Sequence, residues 1–115
     1  MVVVLLTGDL TVLSRVEGAA MRAGADVRAA ADASHAVERC AAEPAALLIV
    51  DLSTPSLDVE SLIEQLRSAA TSLPRVVAFG PHVHGERLEE ARRAGCDDVV
   101  SRGEFFARIE LILNR

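Results

Sequence analysis

Five times along this chain a short apolar run gives way to a segment with helical periodicity. A strict strand-then-helix alternation with short connections restricts the fold to a parallel sheet with helices on both faces. Residues 2–7 are a β-branched and leucine run ending at Thr7-Gly8-Asp9. Residues 10–23 place Leu10, Leu13, Val16 and Ala20 on one helical face, closed by Gly24. Residues 26–30 form a short second strand, and Asp32 or Ser34 caps a helix running to about Ala42, after which Pro44 interrupts. The third strand is 46–51, followed by a helix over 59–70 with Leu62, Ile63, Leu66 and Ala70 as its apolar stripe. The fourth pair is the strand 75–79, ended by Gly80-Pro81, and a strongly charged helix over 84–94 that stops at Gly95. A strand over 98–101 and a helix over 104–114 complete the series, with Phe105, Ile109 and Ile112 on one side of the last helix.

Right-handed crossovers leave few ways to lay out five parallel strands. The expected arrangement is an α/β, flavodoxin-like (βα)5 three-layer sandwich with strand order 2-1-3-4-5. The whole chain, residues 1–115, reads as a single domain without linkers or repeats. In such a sheet the functional edge lies where strands end and helices begin. Thr7, Gly8 and Asp9 fall there after strand 1, Asp51 and Leu52 after strand 3, Gly80 and Pro81 after strand 4, and Ser101, Arg102 and Gly103 after strand 5. Strands 1 and 3 are neighbours in this order, which brings Asp9 and Asp51 to the same part of that edge.

Composition removes several classes of function. The net charge of −5 gives no basic footprint for nucleic acid, and three Phe with no Trp or Tyr provide no stacking platform for single strands. Every basic residue is Arg; the chain has no Lys. No apolar stretch approaches the ~18 residues of a membrane span, and the N-terminus lacks the basic segment and cleavage site of a secretory leader. The expected compartment is the cytoplasm, with no membrane association. Cys40 and Cys96 stand alone, without zinc spacing or a disulfide framework. His82 and His84 flank Val83 without a third ligand nearby and read as a solvated loop, and His35 needs no special role. Glycines at three strand tips do not form a phosphate-binding sequence, and no nucleophile elbow is present, so the chain does not read as an enzyme.

The segment Ala46-Leu47-Leu48-Ile49-Val50-Asp51-Leu52-Ser53-Thr54-Pro55-Ser56-Leu57-Asp58 is the most specific part of the sequence. A buried strand delivers a carboxylate to its tip, with Pro four residues and a second Asp seven residues later. This spacing resembles the phosphoacceptor strand and loop of response-regulator receiver domains, and the resemblance extends over essentially the whole chain. It implies the same fold and makes Asp51 the phosphoacceptor equivalent, with Pro55 and Asp58 in register. The remaining positions depart from the family pattern. Thr7-Gly8 stands where receivers carry a metal-binding acidic pair, with Asp9 one residue later. Gly80 replaces the hydroxyl residue that binds the phosphoryl group, Val99 replaces the aromatic rotor, and Arg102-Gly103 replaces Lys-Pro. Arg102 keeps the charge, but a broad planar fork does not replace a compact ammonium.

Phosphorylation of a carboxylate needs a divalent ion with several oxygen ligands and a fixed cation for the product. The resemblance therefore implies an atypical receiver, a pseudo-receiver, that signals by protein–protein contact without Mg²⁺-dependent phosphorylation. It takes no cofactor, and its partners are signalling proteins such as a histidine kinase or a downstream effector. In this reading Asp51 pairs with Arg102 or caps its own loop. The alternative is a working single-domain response regulator phosphorylated on Asp51 by a histidine kinase, with Asp9 and Asp51 as a partial site for Mg²⁺. A further alternative is a small-ligand module with a pocket near Gly8 and Gly80. Receivers use the face formed by helix 4, strand 5 and helix 5 to dimerise or engage partners. Here that face carries Arg87, Glu90, Phe106 and Leu113, because the last helix has more apolar residues than one core stripe requires.

Overall fold

The computed structural model describes residues 1–70 and 72–114. Five strands, β1 (Val2–Leu6), β2 (Asp26–Ala30), β3 (Leu47–Asp51), β4 (Arg75–Gly80) and β5 (Asp98–Ser101), alternate with helices. These are α1 (Leu10–Ala23), α2 (Ala33–Ala42), α3 (Val59–Ala69), α4 (Gly85–Ala94), α5 (Arg102–Ala107) and α6 (Ile109–Leu113). All strand pairs are parallel and the order is β2-β1-β3-β4-β5, as the alternation predicts.

The period-two alternation of the strands divides the core into two layers. Val4, Leu6, Leu48, Val50, Val76 and Ala78 point to the side covered by α2, α3 and α4. Val3, Leu5, Leu47, Ile49, Val77 and Phe79 point to the side covered by α1, α5 and α6. That second layer holds all three phenylalanines of the chain. Phe79 stacks on Phe105 with ring centroids 4.2 Å apart, and Phe106 meets both edge-on at 5.8 and 5.0 Å.

Helix ends follow the sequence signals. Asp9, Asp32, Asp58 and Ser101 each accept a backbone N–H from the first turn of α1, α2, α3 and α5. Gly24 and Gly95 close α1 and α4 in the left-handed region, with φ of 71° and 104°. Three expectations need correction. Leu10 is exposed, because the inward stripe of α1 is Val12, Val16, Ala19 and Ala20. The last helix is not continuous: it breaks at Arg108, whose N–H is shared between the carbonyls of Glu104 and Phe105. Leu113 is fully buried in the second layer, so it belongs to the core and not to a partner face; the exposed leucine of that segment is Leu111. No helix among the described residues is long and apolar enough to cross a membrane.

Candidate functional site

β1 and β3 pair with Leu6 opposite Val50, so the next step along both strands sets Thr7 beside Asp51. The Thr7 hydroxyl donates to Asp51 Oδ2 at 2.7 Å, and both residues are buried. Asp51 Oδ1 accepts the backbone N–H of Ser53 at 2.9 Å, which closes an Asx turn over the start of the loop. Thr54, also buried, donates its hydroxyl to the Asp51 carbonyl at 2.7 Å. The Thr7 oxygen in turn accepts the Asp9 N–H at 3.1 Å. Each oxygen of the Asp51 side chain therefore has a neutral protein donor, and only 2% of the residue is exposed.

Asp9 faces a different task. Its Oδ1 accepts the N–H groups of Thr11 and Val12 at 2.8 and 3.4 Å, and its Oδ2 lies 3.6 Å from Arg102. Those two amides, and then the Arg102 guanidinium, hold its carboxyl below the ordinary carboxylate range. Arg102 thus pairs with Asp9 and not with Asp51, correcting the expected ion pair; the loop cap expected of Asp51 is present. The same guanidinium sits 5.5 Å from the Phe106 ring centroid, and Arg15 lies over that ring at 3.8 Å.

Gly80 is buried under the residue that follows Asp51. A Cβ added at Gly80 would lie 3.3 Å from Leu52 Cβ and 3.7 Å from Leu88 Cδ2. Leu52, itself buried and bonded through its N–H to the Phe79 carbonyl, occupies the space a side chain at position 80 would need. The space in front of Gly80 is thus filled by Leu52. Gly8 is exposed, with Pro55 Cδ 3.8 Å from where its Cβ would be. Val99 is half-buried against the α2–α4 core, and Gly103 is exposed in the first turn of α5.

On the expected partner face, Arg87 is half-buried and donates to the Leu57 carbonyl at 3.3 Å, tying α4 to the β3–α3 loop. Glu90 is exposed on α4, and Phe106 is half-buried beneath Arg15. His82 and His84 are exposed, and His84 begins α4 without a side-chain cap bond.

A magnesium site of the kind receivers use does not fit this donor set. Mg²⁺ requires near-octahedral oxygen ligation, normally anchored by carboxylates. Among the described residues no group of three or more His, Cys, Asp or Glu side chains is placed to hold a metal. Asp51 is buried and accepts from Thr7 and Ser53, and Asp9 accepts from the first turn of its helix with Arg102, a cation, 3.6 Å away.

Sequence reasoning identified these positions but missed the Thr7–Asp51 contact. The signal was available, since neighbouring strands in register bring the residues after Leu6 and Val50 together. No protein-family model matches the sequence, and no curated protein matches it. Solved structures do. A two-component response regulator from Clostridium difficile superposes with a TM-score of 0.79 at 17% identity, covering 100% of this chain and 97% of that one. The receiver domain of a sensor histidine kinase from Pseudomonas aeruginosa PAO1, with a magnesium ion coordinated in its active-site cleft, gives 0.82 at 21% identity over 99% and 94%. A signal receiver domain from Bermanella marisrubri gives 0.80 at 21% identity over 98% of each chain. The fold of this chain is that of receiver domains.

Proposed function

We propose that this chain is a pseudo-receiver: a signalling module that acts by protein–protein contact, without Mg²⁺-dependent phosphorylation of Asp51 and without catalysis of its own. The observation that carries this reading is the 2.7 Å hydrogen bond from Thr7 to Asp51. In-line attack on a phosphoryl donor needs a carboxylate oxygen the donor can reach, a cation bridging it to the incoming group, and a path to solvent. Asp51 is buried with both oxygens engaged, and the cation nearest in role, Arg102, is paired with Asp9. The likeness to receiver domains supports a place among signalling proteins, with a histidine kinase or an effector as partner and the cytoplasm as compartment.

The test is incubation of the full chain with acetyl phosphate and Mg²⁺, followed by intact-mass measurement. The expected spectrum shows the unmodified mass, with and without the metal. A stoichiometric phosphoryl adduct that disappears in Asp51→Ala would replace this reading with that of a conventional single-domain response regulator.

A further inference from the structure

The edge of the sheet opposite Asp51 carries a cleft of about 520 Å³ between the end of α3, the start of β4 and the C-cap of α4. Its floor is apolar and well packed: Ile63, Leu66 and Val76 are buried, and Pro74 closes one side. Leu73 stands at the rim, 57% exposed, one of the few large apolar side chains left in contact with water.

Three charged residues line the cleft, and two are already engaged. Arg75 pairs with Asp98 at 3.1 Å, and Asp97 accepts the Val76 N–H at 2.7 Å. Among the described residues Arg67 forms no ion pair, although Asp58, Glu60, Glu64 and Glu90 line the adjoining groove with it. Its guanidinium is seated on the bare face of Gly95, where Nη2 lies 2.9 Å from the position a Cβ would take. The glycine that ends α4 thus also makes room for the arginine at the cleft.

We propose that this cleft binds a small apolar carboxylate, with its hydrocarbon part on Leu66, Leu73, Pro74 and Val76 and its carboxylate on Arg67. The volume suits a small molecule, within the ~300–1,000 Å³ of ligand pockets, and is too small to seat a helix about 10 Å across. A planar guanidinium without a carboxylate of its own matches the bidentate geometry of that anion. The apolar floor disfavours a multiply charged, strongly hydrated ligand. The site is separate from Asp51 and stands independently of the pseudo-receiver reading.

The experiment is an amide-shift NMR titration of the ¹⁵N-labelled full chain with hexanoate and with its neutral counterpart, hexanamide. Hexanoate is expected to give saturable shifts at Arg67, Leu73, Val76 and Gly95, with a dissociation constant on the order of millimolar. Hexanamide should bind about tenfold more weakly. Arg67→Gln, an exposed helix position, should keep the fold and erase the difference between the two probes. Equal response to both probes, shifts that do not saturate or lie elsewhere, or a preference surviving in Arg67→Gln would overturn the proposal.

Discussion

Arg102 lies 3.6 Å from Asp9 and shares the Phe106 ring with Arg15, while Asp51 takes its hydrogen bonds from Thr7 and Ser53. The charged residues of the strand-tip edge are thus sorted into a solvent-facing cluster on α1 and α5 and a buried neutral-donor cluster around β3. The two clusters respond to different perturbations.

Thr7→Val keeps the volume and branching of the side chain but removes the donor to Asp51 Oδ2 and the acceptor of the Asp9 N–H. An unsatisfied buried polar group costs about 1–3 kcal/mol. Urea unfolding should show a lower midpoint with an unchanged slope. An unchanged midpoint would mean that Thr7 is not a structural anchor for Asp51.

A Cβ at position 80 meets Leu52 at 3.3 Å. Gly80→Ala should therefore destabilise by about 1–3 kcal/mol through overpacking. Leu52→Ala alone should cost about 2–5 kcal/mol by opening a cavity. Leu52→Ala keeps the Cβ that makes the 3.3 Å contact and removes only Cδ1 at 3.6 Å, so it should relieve little of the crowding in Gly80→Ala. A double variant that loses much less than the sum of the singles in denaturant melts would show that the Leu52 isobutyl group, and not its Cβ, opposes a side chain at position 80.

Burial pushes the thiol of Cys40 up to about 11, and burial with Asp97 beside it does the same for Cys96. Both should resist a thiol-specific reagent near neutral pH and react only when the chain unfolds. A thiol pKa raised by folding contributes stability that is fully present below the ordinary value of 9.0 and is lost as pH rises through about 11. Denaturant midpoints should accordingly decline across that interval, and a Cys40→Ala, Cys96→Ala variant should decline less.

Asp9 shifts in the opposite direction. Its carboxyl is held below 3.8 by the Thr11 and Val12 amides and then by Arg102, so its contribution is present above 3.8 and is lost as pH falls through the lower, folded value. The side-chain carboxyl resonance should titrate below the ordinary range, and Arg102→Ala should move that midpoint partway back. An ordinary midpoint in the parent protein would contradict the capping geometry.

Periodicity made the five strands, their faces and the sheet order readable, because alternation and helical stripes are properties of consecutive residues. Capping is equally local: Asp32, one of the two caps the sequence offers for α2, accepts from the following turn, and Asp9 and Asp58 do the same for α1 and α3. What sequence could not supply was the direction of long or forked side chains. Arg102 reaches Asp9 because α5 begins at Arg102 itself, carrying the guanidinium toward α1. Leu113 lies four residues after Ile109 and eight after Phe105, so a helical stripe drawn through the segment already sets it on the core side; counting it as surplus overlooks that spacing. Gly80 looked like a lost hydroxyl in the sequence, whereas Leu52 gives it a packing reason.

The cluster of Phe79, Phe105 and Phe106 has a spectroscopic consequence. With no Trp or Tyr in the chain, these three rings are its only aromatic chromophores, and all sit in the layer under α1, α5 and α6. The near-ultraviolet circular dichroism of this protein is therefore a reporter of one side of the sheet alone. Loosening of α2, α3 and α4 would pass unseen in that signal while the helical far-ultraviolet band fell, so a mismatch between the two bands would locate which layer opens first.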